Sequence, residues 1–141
     1  MSKQTNESKP EVKAPFHAVN WFEIPSRNID RAAKFYEVVI GRPLKRENFG
    51  GMPHAVFASQ AASPAQYAVS GAVVEAPHLT PGASGSVVYL DCPAGVAATF
   101  ARAMANGGKQ VVAPMSIGEH GWIALVDDPE GNRIGLHAMQ P

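Results

Sequence analysis

Two rhythms of apolar and polar positions run through this chain, and they come in the same order twice. Over residues 18–24 the apolar character alternates, with Asn20, Phe22 and Ile24 on one side and Val19, Trp21 and Glu23 on the other, which predicts a strand. Pro25-Ser26 closes it, and Asn28 or Ser26 can cap a following helix, because their side-chain oxygens accept from exposed N–H groups. Ile29, Ala32, Ala33, Tyr36 and Ile40 then recur at helical spacing. Gly41 supplies a stop, and Pro43 prevents continuation. Residues 44–49, 54–59 and 71–75 are short strand candidates separated by glycine or proline.

The second half repeats the order. Residues 86–92 predict a strand, and Val96, Phe100, Ala103 and Met104 form the stripe of a second helix, ending at Asn106-Gly107-Gly108. Residues 110–114, 121–126 and 132–138 predict three more strands. Between the last two, Asp127-Asp128-Pro129-Glu130-Gly131-Asn132 reads as a tight turn, since Asp and Asn bond their own backbone, Pro sets φ and Gly takes positive φ.

The repeat predicts an α+β fold of two βαβββ modules, about 16–76 and 85–139, within one domain over 15–141. Residues 76–84, rich in Pro, Gly and small side chains, read as the linker. Residues 1–14 are polar and lack the apolar core of a secretion signal, so they are expected to form a flexible tail. Helices can cover only one face of each sheet. The other face needs a partner sheet or must enclose something, so a curved, cleft-enclosing mixed sheet is expected.

Composition narrows the function classes. The chain has 141 residues, 45% of them hydrophobic, which suits one domain with an ordinary core. Twelve basic and 12 acidic side chains give a formal net charge of zero, with no electrostatic footprint for nucleic acid or an anionic membrane. No apolar run approaches the ~18 residues of a membrane span, and a cytoplasmic location is the default expectation. Cys92, the one cysteine, precludes an internal disulfide and reads as a structural thiol. No nucleophile elbow, phosphate loop or paired-cysteine motif occurs.

The first half carries F-E-I-P followed by D-R-A-A-K-F-Y-E-V-V-I-G, and the end of the chain carries D-D-P-E-G-N-R-I-G-L-H. With this strand order, the chain resembles the vicinal oxygen chelate superfamily over about residues 16–139. That superfamily includes glyoxalase I, extradiol dioxygenases, and fosfomycin and bleomycin resistance proteins. The resemblance is to its glyoxalase-like branch, which carries G-E-H-G before the seventh strand. In the metal-using members a divalent ion is held by His or Glu on the first, fourth, fifth and eighth strands. By position, the resemblance puts Val19 at the first of these, about Gly85 at the fifth-strand position and Gly135 at the eighth. Glu75 is the one candidate for the fourth-strand position. Three of the four cannot coordinate through a side chain, so no metal or other cofactor is expected. The five histidines, His17, His54, His78, His120 and His137, show no metal-ligand spacing on one element.

The strand period then names what lines the cleft. With Val19 inward, Trp21 and Glu23 are inward; with Gly135 inward, so are Arg133 and His137; with Gly85 inward, so are Val87 and Tyr89. An apolar floor with polar tips at Trp21, Glu23, Tyr89 and His137 suits a small apolar or aromatic ligand. Each aromatic has the plainer alternative of filling space between sheets. Glu23 is expected to need a partner, with His137 or Arg133 as candidates. Residues 116–121, S-I-G-E-H-G, are either a hairpin turn or a loop at the cleft mouth with Glu119 and His120 on the ligand.

Three functions remain open at this point. The first is a metal-free small-molecule-binding protein, expected by resemblance to be a homodimer. The second is a lyase, isomerase or dioxygenase, either metal-dependent or using Glu23 and His137 as acid and base. The third is a resistance-type protein that sequesters a drug between two protomers.

Overall fold

A computed structural model describes residues 17–61, 63 and 68–141, and the segment expected as a tail lies outside them. The elements run β1 (Trp21–Pro25), α1 (Ile29–Ile40), β2 (Leu44–Phe49), β3 (Met52–Phe57), β4 (Ser70–Val74), β5 (Val88–Asp91), α2 (Val96–Ala105), β6 (Lys109–Ser116), β7 (Trp122–Asp127) and β8 (Arg133–Ala138). A single 3₁₀ turn, Gly118–His120, precedes β7. The strands form two mixed four-stranded sheets, in the orders β1-β4-β3-β2 and β5-β8-β7-β6. In each, the strand before the helix pairs parallel with the last strand of its module, and the other pairings are antiparallel. This is the doubled α+β architecture that the repeat predicts. No ladder joins β1 to β5 among the described residues, so the sheets are not closed onto one another.

Helix α1 has the boundaries its punctuation predicts. Asn28 caps it, its side chain accepting from the Arg31 N–H, and Gly41 ends it in the left-handed region at φ 82°. Ser26 acts one step earlier, accepting from the Asn28 N–H at 2.9 Å. The strand β1 begins at Trp21 rather than at residue 18, because its partner β4 begins at Ser70, directly opposite Trp21.

One core serves both modules. Ile24, Phe35, Tyr36, Val39 and Val73 of the first are continuous with Leu90, Val96, Ala124, Ile134 and Leu136 of the second. The pairings Ile24↔Val73 and Leu90↔Leu136 set these apolar positions side by side on the helix-covered faces. A second, smaller cluster of Ala72, Val74 and Ala76, flanked by Met52, Val56 and Leu79, lies on the opposite face of the first sheet.

The turn after β7 joins the modules. Asp128 accepts from the backbone N–H of Glu130 and of Asn132, both at 2.9 Å, which shapes the turn itself. Its other oxygen accepts from the Tyr36 hydroxyl of α1. Glu130 accepts from the Ser26 hydroxyl and the Arg27 N–H, and Asn132 donates to the Pro25 carbonyl at 2.7 Å. No helix among the described residues is long and apolar enough to cross a membrane.

Candidate functional site

Each sheet turns one face to the helices and the other away from them, covered at Ala72 and Val74 but open at the strands beside them, and the strand period decides which residues go where. On β1, Phe22 and Ile24 pack into the core while Trp21, 44% exposed, and Glu23 stand on the open face. On β5, Leu90 goes inward and Tyr89, 46% exposed, goes to the open face. The grouping of Trp21 with Glu23, and of Val87 with Tyr89, follows the alternation along each strand.

Glu23 does not take either of its expected partners. Its Oε2 accepts from the Trp21 indole N–H at 3.3 Å. Arg133 instead forms a bidentate pair with Asp127 on the neighbouring strand, donating Nε and Nη2 to the two oxygens at 2.9 and 3.1 Å. That pairing raises the guanidinium pKa further above its ordinary value. His137 turns to the 3₁₀ segment, with Nε2 2.7 Å from the His120 carbonyl oxygen. The β7–β8 register explains the choice for Arg133, since Asp127 stands directly opposite it.

The His137 contact also fixes a tautomer. A carbonyl oxygen only accepts, so Nε2 carries the hydrogen in the neutral ring and Nδ1 keeps a lone pair. Glu119 and His120 themselves lie on an exposed 3₁₀ turn, with Nε2 and Oε2 3.7 Å apart. A polar contact so exposed contributes little. The two groups of predicted residues, Trp21 with Glu23 and His137 with His120, are each brought together, but nothing in the described contacts bridges one group to the other.

The metal positions implied by the resemblance do not fit a metal. Val19 is an exposed aliphatic side chain, and Gly85 at φ 98° stands in open space. Glu75 follows the end of β4, and its Oε1 accepts from the Ile29 N–H at 2.9 Å, at the first turn of α1. It serves a helix terminus on the core side of the sheet. At Gly135 a Cβ atom would overlap the ring of Tyr89, which lies flat against the glycine backbone. Among the described residues no group of three or more His, Cys, Asp and Glu side chains is placed to hold an ion. Cys92 is buried, and burial pushes its thiol pKa up, which keeps it protonated and unreactive.

A pocket of about 340 Å³ lies where the free edge of β1 meets the starts of β5 and β8. Glu23, Thr80, Ser84, Ser86, Asn132 and Arg133 contribute to its wall. Of the six residues predicted to touch a ligand, only Glu23 lines it. Residues 80–84 were legible only as linker and Ser86 only as the start of a strand; the hydroxyl content of T-P-G-A-S-G-S over 80–86 was the one signal that they could border a site.

The family model for the Glyoxalase/Bleomycin resistance protein/Dioxygenase superfamily matches residues 18–136. Among solved structures, the chain is similar to a glyoxalase/bleomycin resistance protein from Albidiferax ferrireducens T118, with TM-score 0.61, 19% identity, and 85% of this chain and 97% of that one covered. It is similar to a glyoxalase/bleomycin resistance protein/dioxygenase family enzyme from Burkholderia phytofirmans PsJN, with TM-score 0.58, 17% identity, and coverages of 83% and 94%. A mutant of glyoxalase I from Zea mays aligns with TM-score 0.59 and 17% identity over 83% of this chain and 45% of that one. No curated protein matches the sequence. At these identities the structures speak for the fold, and the family model spans both modules. The chain belongs to the Glyoxalase/Bleomycin resistance protein/Dioxygenase superfamily.

Proposed function

We propose that this protein binds a small organic molecule, apolar or aromatic over part of its surface, on the open faces of its sheets, and does so without the superfamily's metal. The observation that carries the reading is Tyr89 laid over Gly135. Where the resemblance puts a metal ligand, this chain presents a half-exposed aromatic ring laid flat over bare backbone. Such a surface stacks on a planar apolar ligand and has no donor for an ion. Glu75, the remaining candidate ligand, is engaged by the Ile29 N–H.

A homodimer belongs to the same reading. Val19, Val87, Met115 and Met139 are exposed along with Trp21 and Tyr89, and a second copy that covers them shields apolar surface from water. The test is a titration of the purified, untagged protein with indole and p-cresol, read by tryptophan fluorescence, beside elemental analysis and sedimentation. Saturable quenching and a dimer without stoichiometric metal are the expected results. Absence of any binding, or stoichiometric metal that survives dialysis, overturns the proposal.

The His137 tautomer favours a second reading, in which the same face does proton-transfer chemistry. His137 Nδ1 offers a lone pair and the Glu23 carboxylate a second acceptor, one on each sheet. In this reading Glu23→Gln and His137→Gln each abolish turnover of a bound ligand while leaving its affinity within a few-fold. Binding with no turnover in the unaltered protein rejects it.

A further inference from the structure

The pocket between β1, β5 and β8 has an electrostatic character of its own. Two charged side chains, Glu23 and Arg133, contribute to its wall, and they are not equivalent. Arg133 is neutralised by its bidentate pair with Asp127. Glu23 accepts a hydrogen bond only from the neutral Trp21 indole, and among the described residues no cationic group pairs with it. Among the described residues, Glu23 is therefore the one carboxylate of the pocket wall with no cation beside it.

The polar groups around that charge divide in the same way. Asn132 is fully committed, donating to Pro25 and Asp128 and accepting from the Gly82 N–H at 3.1 Å. The hydroxyls of Thr80, Ser84 and Ser86 engage no other side chain or backbone group among the described residues. Three hydroxyls and a carboxylate that accepts from the exposed Trp21 indole share one wall. A volume of about 340 Å³ is at the small end of the range for ligand sites, about 300–1,000 Å³.

We propose that this pocket takes a small polyhydroxylated ligand bearing a protonated amine. The ammonium pairs with Glu23, which carries only the neutral Trp21 indole N–H on Oε2. The ligand hydroxyls exchange water for Thr80, Ser84 and Ser86, each of which can donate and accept. This goes beyond the reading above, since Tyr89 does not line the pocket, and rests on it only in assigning small-molecule binding to the side of the sheets away from the helices.

Three related sugars test it: glucosamine, glucose of the same size, and N-acetylglucosamine, whose amine is neutralised, added to ¹⁵N-labelled protein below neutral pH, where the glucosamine amine is protonated. Glucosamine is expected to shift the Trp21 indole N–H and the amides of Glu23, Ser84 and Ser86. The two neutral sugars are expected to bind at least about tenfold more weakly, as is glucosamine to Glu23→Gln, since a hydrogen bond to a charged group is worth roughly a factor of ten or more. The spectrum of the variant reports directly that it is folded. Equal shifts from all three sugars, or glucosamine binding unaffected by Glu23→Gln, overturn the amine assignment. If indole binds and glucosamine does not, the assignment fails and the broader proposal stands. If neither binds, both fail.

Discussion

The Tyr36 hydroxyl donates a 2.7 Å hydrogen bond to Asp128 Oδ2, from the middle of the first module's helix to the last turn of the second. Ninety-two positions separate the two residues in the chain. Both are buried, and Tyr36 is among the least exposed side chains described. Its ring meets Phe35 and Phe57 edge-on, with centroids 4.9 and 5.5 Å away, so the hydroxyl is held where the turn must come. With Glu130 on Ser26 and Asn132 on Pro25, this bond makes the D-D-P-E-G-N turn a clasp between modules.

Removing that one oxygen measures the clasp. Tyr36→Phe keeps the ring packing and leaves Asp128 with its two backbone donors and the Asn132 amide. The expected cost is about 2 kcal/mol, the usual range for a hydrogen bond to a charged acceptor. Urea unfolding with an unchanged slope checks it. A loss below about 0.5 kcal/mol shows that the turn holds without Tyr36.

The same pair predicts a pH dependence with a definite sign. Burial first, then the charge and the hydrogen bond of Asp128, hold the Tyr36 pKa well above its ordinary 10.0. The folded state then keeps a proton that the unfolded chain gives up. The contribution is complete below about pH 10 and is lost as pH rises toward the folded value. Stability of the unaltered protein therefore falls more steeply above pH 10 than that of Tyr36→Phe. Cys92, also raised by burial, contributes in both proteins and cancels in the comparison. Parallel curves for the two proteins contradict the argument.

Local signals and long-range ones were not equally readable. Asn28 and Gly41 bound α1 through contacts within a few residues, so the helix ends could be read directly. The alternation along β1 separated Phe22 and Ile24 from Trp21 and Glu23 because a strand has only two faces. The role of Glu75 was out of reach, since its partner Ile29 lies 46 positions away and approaches only once β1 and β4 pair. The preference of Arg133 for Asp127 over Glu23 depends on antiparallel register, which no pattern within either strand encodes.

Glu75 provides a direct contrast between a cap and a ligand. If it serves α1, Glu75→Ala costs about 1 kcal/mol, as loss of a group accepting from a helix N-terminus does, and Glu75→Gln costs less because its carbonyl oxygen still accepts. Thermal unfolding with and without a chelator separates this from a metal role. The melting temperature of the unaltered protein is expected to be the same in both, and the drop in Glu75→Ala to be equal in both. A chelator-sensitive melting temperature that Glu75→Ala abolishes would point back to an ion.

Two glycines lie under aromatic rings on opposite faces, and they should respond differently to a methyl group. A Cβ at Gly71 would overlap the Phe22 ring, and one at Gly135 would overlap the Tyr89 ring. Phe22 is partly buried against the core and against Phe57, 5.4 Å away between centroids, so moving it gives up packing. Tyr89 is nearly half exposed and can swing into solvent. Gly71→Ala is therefore expected to cost about 2 kcal/mol, in the range for overpacking a core. Gly135→Ala is expected to cost under about 1 kcal/mol, yet to weaken binding of an aromatic ligand by displacing the ring that receives it. Urea unfolding of each variant beside an indole titration of Gly135→Ala checks both halves. Equal stability losses would mean that Tyr89 is as confined as Phe22, and undiminished indole binding by Gly135→Ala would remove Tyr89 from the ligand surface.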